Sequence, residues 1–105
     1  LSILRQLSRE PIFSVLWDSL PIAGVDGTLA DRMKNTIAAG QVRGKTGTLN
    51  GAYQLVGYIP RSRSGDMDYV PFVILTSTTP KNRGLVRRFQ DALVVKMAAA
   101  IQREN

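Results

Sequence analysis

The sequence contains no cysteine, which excludes disulfides, thiolate-bound metals and cysteine nucleophiles. It contains no histidine either, and that removes Ser-His-Asp triads and imidazole-bound zinc. Acid–base chemistry near neutral pH is left to lysine, carboxylates or tyrosine with displaced pKa values. Long hydrophobic runs are also absent. No stretch approaches the roughly 18 consecutive apolar residues of a membrane span; the longest, residues 70–75 and 92–101, are of core size. The first residue is Leu1, and no basic segment followed by an apolar one marks a secretory signal. The expectation is a piece of a longer protein.

What is present is ordinary in bulk. The 105 residues are one domain's worth at most, with 44% hydrophobic and 21% charged residues. That composition excludes a disordered tail, a collagen-like fibre and a coiled coil. Fourteen Lys and Arg outnumber eight Asp and Glu, leaving a net charge of +6 that invites anionic partners.

Periodicity predicts helices first, then strands, then a helix. Leu1, Leu4 and Leu7 share a helical spacing. Pro11 suits the first turn of a second helix, in which Phe13, Leu16, Trp17 and Leu20 form one face before Pro21 ends it. Gly24, Asp26 and Gly27 make a turn, with Asp26 or Thr28 capping one more helical turn through Met33. Strand character begins over 41–49, where Gly44 and Gly47 mark close approach by another part of the chain. Residues 53–59 make a second strand stopped by Pro60, 61–66 a polar hairpin turn containing Gly65, and 69–77 a third strand. The run Val70, Phe72, Val73, Ile74 and Leu75 predicts burial on both faces of the sheet. A loop over 78–83 leads to a helix over 85–102. Its apolar stripe reads Leu85, Phe89, Ala92, Leu93, Met97, Ala100 and Ile101, with Arg87, Arg88, Asp91 and Arg103 mostly off it. The class is α+β: short N-terminal helices, three antiparallel strands and a C-terminal helix.

The stretch richest in chemistry is Gly44-Lys45-Thr46-Gly47-Thr48-Leu49. A phosphate-binding loop also uses Gly-Lys-Thr, and Ala39 stands where a loose version of that motif begins. Its surroundings argue against it. Such a loop follows a buried strand and opens a helix, whereas 33–39 read as helical or irregular. Gly47-Thr48-Leu49-Asn50-Gly51 starts a helix poorly, and no apolar strand ends in an Asp for magnesium. The other reading is the Lys-Thr-Gly element of penicillin-binding proteins and serine β-lactamases, carried on an edge strand. Strand alternation puts Lys45 and Gly47 on one face and Thr46 on the other. For three letters alone, a surface lysine in a turn is the plain alternative.

The neighbourhood extends the match. Leu20-Pro21-Ile22-Ala23-Gly24-Val25-Asp26-Gly27-Thr28-Leu29, then Arg32, then Gly40-x-Val42-x-x-Lys45-Thr46-Gly47-Thr48-Leu49-x-Gly51, then Leu55-x-Gly57-Tyr58 resembles one family closely. It is similar to the C-terminal end of the class C low-molecular-mass penicillin-binding proteins, the D-alanyl-D-alanine carboxypeptidases and endopeptidases of peptidase family S13. The specific motifs span 19–58; beyond them the strand-then-helix order matches through the C-terminus.

The resemblance implies serine acyl transfer without histidine, in a penicillin-binding, transpeptidase-like domain of which 1–105 is the C-terminal part. In that family a nucleophilic Ser sits in Ser-x-x-Lys and a second Ser in Ser-x-Asn. By the match, Lys45 supplies positive charge near the second Ser and the substrate's terminal carboxylate, and Thr46 hydrogen-bonds that carboxylate. Gly47 clears space for the substrate backbone. The Thr48 N–H donates to the oxyanion, a preorganised donor worth about 3 kcal/mol of barrier. No Ser here begins Ser-x-x-Lys, and no Ser-x-Asn exists. The isolated chain is therefore expected to be inactive, with Lys45 and Thr48 the catalytic contributors and Lys45, Thr46, Gly47 and Thr48 the substrate-binding ones. The resemblance further implies no cofactor and no metal, peptidoglycan peptides and β-lactams as ligands, and a periplasmic or otherwise extracytoplasmic location. The five-stranded sheet of the family would leave the strand over 69–77 unpaired, an apolar edge expected to self-associate or pair with the N-terminal half.

The remaining features weigh toward structure. Arg61 and Arg63 in a turn, and Lys81, Arg83, Arg87 and Arg88 around a helix start, lack the interleaved aromatics of nucleic-acid modules; solvated surface fits better, with contact to an absent neighbour or an anionic polymer as the functional reading. Phe13 and Trp17 read as core, Asp26 as a turn residue, Arg32 as one arm of a salt bridge, and Tyr58 as packed beside the sheet. The competing class is a small basic non-enzymatic binding module in which Lys-Thr-Gly is incidental.

Overall fold

The computed structural model describes residues 1–49, 51–63 and 65–103. Two short helices come first, α1 (Ser2–Leu7) and α2 (Phe13–Ser19). Three strands follow, β1 (Arg43–Leu49), β2 (Ala52–Arg63) and β3 (Asp66–Ser77), and then one long helix, α3 (Arg83–Arg103). The sheet is antiparallel in the order β1-β2-β3. The α+β order read from the sequence is the order found.

Alternation assigns the two faces. Leu55 and Ile59 of β2 and Phe72 of β3 are buried together with Val94 and Ala98 of α3 and Leu29 of the connecting loop. Among the described residues, the opposite face is covered near α1 and α2 alone. There Phe13 meets Tyr58 edge-on at 5.0 Å and Trp17 lies 4.8 Å from Tyr69, geometries in which ring quadrupoles attract. Farther along β3 none of the described residues covers this face: Val73 is 47% and Leu75 71% exposed. The expected two-sided burial of the third strand therefore fails, because no described element lies over its second face.

Pro60 does not stop β2. It pairs with Tyr69, and the strand runs on to Arg63 opposite Asp66. The pairing of β1 with β2 ends at Arg43 and Tyr58, so at Pro60 the strand has one neighbour only, and a proline can leave its bare nitrogen on the free side. Arg61 is thus a strand residue, not a turn residue, and its guanidinium pairs with Asp68. Of the expected turn, Arg61 and Arg63 belong to β2 and Asp66 to β3, Gly65 takes φ 84°, and Ser64 lies outside the described residues.

Two helical expectations also change. The turn after Asp26 is a single 3-10 turn, Gly27–Leu29. The Asp26 carboxylate accepts the Ile22 N–H at 2.8 Å instead of capping that turn, and Met33 takes φ 61°, a left-handed conformation that a helix cannot continue through. In α3 the buried residues are Val86, Gln90, Val94 and Ala98, while Leu85 and Phe89 are exposed. The stripe is rotated because a glutamine occupies it. Gln90 Nε2 donates to the Tyr53 carbonyl at 3.1 Å and to Thr76 Oγ1 at 3.3 Å, which makes a buried amide tolerable.

Candidate functional site

Among the described residues, 45–49 of β1 form one free edge of the sheet. Before them the strand is anchored: Ile22 bridges Arg43, the Gly44 N–H donates to the Pro21 carbonyl at 3.0 Å, and the Ala23 N–H donates to the Val42 carbonyl at 2.9 Å. Arg43 adds a side-chain tie. Its Nη1 donates to the Trp17 carbonyl at 2.9 Å, and its guanidinium lies 4.5 Å from the Trp17 ring centroid, a cation–π arrangement. Beyond Arg43, among the described residues, no strand covers the outer side of β1.

The glycines of the motif sit where the chain comes close. A Cβ on Gly44 would stand 2.8 Å from the Val56 carbonyl oxygen. One on Gly47 would stand 2.5 Å from the Gln54 amide nitrogen, because Gln54 faces Gly47 across the ladder. The expected close approach at both positions is what the structure contains. Its cause is the neighbouring strand β2 in each case.

Lys45 is exposed, and its Nζ donates to the Thr46 carbonyl at 3.0 Å. Thr46 is half-buried and faces Leu55, a core residue, so it lies on the α3 side of the sheet. There it borders a cleft of about 500 Å³ with Thr28 of the 3-10 turn, Arg32, and Arg87 and Arg88 of α3. Gly47 and Thr48 border a smaller recess next to it, together with Thr46, Gln54 and Arg87. The four residues picked from the motif thus line one strand edge from both sides. Gln54 and Arg87 also border this edge and were not singled out as site residues. Gln54 could have been reached from cross-strand register; Arg87 sits on a distant helix and had no local signal tying it to the motif.

Electrostatics around the edge are set by a partly buried pair. Arg32 Nη2 lies 2.7 Å from Asp91 Oδ1, and the same guanidinium donates to Gln90 Oε1 and to the Arg87 carbonyl, each at 3.3 Å. Arg32 is thus the arm of a salt bridge, as its sequence context suggested. On the cleft's outer rim Lys34 hydrogen-bonds Asp31, and that bond together with its charge holds the carboxyl below the ordinary aspartate value. At the other end of the sheet, burial pushes the Tyr58 hydroxyl above the ordinary tyrosine value of 10.0. That hydroxyl donates to the Leu4 carbonyl at 2.8 Å.

The model of the D-Ala-D-Ala carboxypeptidase 3 (S13) family matches residues 1–99. The chain belongs to this family. Among curated members, it is 37% identical over 101 residues to a D-alanyl-D-alanine carboxypeptidase of Actinomadura sp., covering 91% of this chain and 18% of that protein. It is 35% identical over 81 residues to the D-alanyl-D-alanine carboxypeptidase DacB of Haemophilus influenzae, covering 70% of this chain and 16% of the relative. A penicillin-sensitive carboxypeptidase A of Dictyostelium discoideum is 33% identical over 84 residues, covering 78% and 16%. The chain therefore spans less than a fifth of the length of each of these S13 relatives. No described helix is long and apolar enough to cross a membrane.

Proposed function

We propose that the protein to which this chain belongs is a serine D-Ala-D-Ala carboxypeptidase or endopeptidase that cleaves peptidoglycan stem peptides through an acyl-enzyme outside the cytoplasm. The observation carrying this reading is the Lys-Thr-Gly sequence on an uncovered strand edge, in a chain of the S13 family. An edge strand offers backbone donors and acceptors to an extended peptide, and Lys45 and Thr46 flank that edge from opposite faces. Lys45 supplies positive charge, Thr46 a hydroxyl for the substrate carboxylate, Gly47 room for the peptide backbone and the Thr48 N–H an oxyanion donor. The nucleophilic serine and its lysine lie elsewhere in the full-length protein, so these residues alone form one wall of the site and are inactive in isolation.

The same reading accounts for the uncovered part of β3. Its outer edge has no partner strand among the described residues, and Val73 and Leu75 stand exposed beside it. In the full-length protein this edge and face dock against the remainder of the domain; in isolation they drive self-association. The test is release of D-alanine from a pentapeptide ending in D-Ala-D-Ala by the full-length protein, with penicillin as inhibitor. Release blocked by penicillin is expected. A folded full-length protein that neither releases D-alanine nor is acylated by penicillin would overturn the reading.

A further inference from the structure

Resting on the acyl-transfer reading of β1, we propose that Arg87 is a specificity-determining residue that recognises the substrate's C-terminal carboxylate from the α3 side of the strand. The cleft beside Thr46 and the smaller recess beside Gly47 and Thr48 are both lined by Arg87; Arg88 lines the outer cleft alone. A carboxylate lying past Lys45 along β1 therefore comes to rest where Arg87 borders both spaces.

The charges around it are otherwise spoken for. Arg32 is held by Asp91 at 2.7 Å, and Asp31 by Lys34 at 2.9 Å. Among the described residues Arg87 and Arg88 form no ion pair, so they contribute the cleft's uncompensated positive charge. The backbone that carries Arg87 is also held. Its carbonyl accepts a hydrogen bond from Arg32 Nη2 at 3.3 Å, and Asp91, one helical turn on, holds the same guanidinium. A guanidinium on a held backbone presents a planar fork that matches a carboxylate.

The experiment uses the full-length protein and compares its acylation rate by benzylpenicillin with that by benzylpenicillin methyl ester, which lacks the anion. The expected result for Arg87→Gln is a fall of about ten- to hundredfold in the ratio of the two rates, the size of one charge-assisted hydrogen bond. Arg87→Lys recovers part of the ratio, and Lys96→Gln, the same change of charge farther along α3, leaves it within about twofold of wild type. Equal loss toward both compounds in Arg87→Gln would make the residue structural and overturn the proposal, as would rates unchanged toward both. A wild-type protein acylated by neither compound would instead overturn the acyl-transfer reading beneath it, and the proposal with it.

Discussion

Arg32 closes on Asp91 across 59 residues of sequence, with Nη2 2.7 Å and Nε 3.0 Å from the same carboxylate oxygen. The side chains are 11% and 21% exposed, so each charge depends on the other for the solvation it has lost. The pair ties the loop before β1 to the helix whose residues border the motif. Thr46 therefore faces a wall held in place by an ion pair.

Arg32→Ala is expected to cost about 2 kcal/mol, between a surface bridge and a fully buried pair, since Asp91 keeps some contact with water. Urea unfolding measures it. Arg32→Lys should recover only part, because an ammonium cannot form the fork that the guanidinium makes. A cost under about 1 kcal/mol for the alanine variant would show the pair to be no better than a surface bridge.

The glycines separate by what an added methyl would strike. A Cβ on Gly57 would collide with the Arg43 carbonyl oxygen, which is backbone, whereas on Gly47 it meets the flexible Gln54 side chain. Gly57→Ala should destabilise by about 2 kcal/mol or more and Gly47→Ala by much less, with Gly47→Ala showing its effect in penicillin acylation of the full-length protein. Thermal unfolding of both variants checks the order; equal losses would contradict it.

Tyr58 titrates above its ordinary value because burial disfavours the phenolate. A folded-state pKa above the unfolded one means that the folded form holds its proton more tightly, so the contribution to stability is complete below pH 10.0 and is lost as pH rises through the folded value. Stability should fall more steeply above pH 10.0 in the wild type than in Tyr58→Phe, which gives up the hydrogen bond to Leu4, worth about 1 kcal/mol. Denaturant midpoints at a series of alkaline pH values test this. Parallel profiles would contradict it.

The open edge of β3 predicts concentration-dependent association of the 105-residue chain. Leu75→Lys, which places a charge on that exposed strand, should shift the distribution toward monomer. Light scattering decides it, and a strictly monomeric wild-type chain at high concentration would count against the assignment of this edge as a docking surface.

Local chemistry was legible in the sequence and distant chemistry was not. Gly44 and Gly47 announced close approach, the apolar run after Tyr69 announced a strand, and the Lys-Thr-Gly letters with their flanks pointed to the family. Gln90 misled because hydropathy counts an amide as surface, while Tyr53 and Thr76 supply its hydrogen-bond partners from two strands. Pro60 misled because its tolerance depends on where β1 stops pairing, a property of register. Arg87 lies 42 residues from Lys45 in the sequence, and only the packing of α3 on the sheet brings it to the strand.

The account stands most directly on covalent labelling of the full-length protein by a fluorescent penicillin, with Lys45→Ala beside it. Labelling of the wild type that is lost or greatly slowed in the variant is the result predicted for Lys45 in a serine acyl-transfer site. A well-folded full-length protein that takes no label would contradict the account and leave a basic α+β binding module in its place.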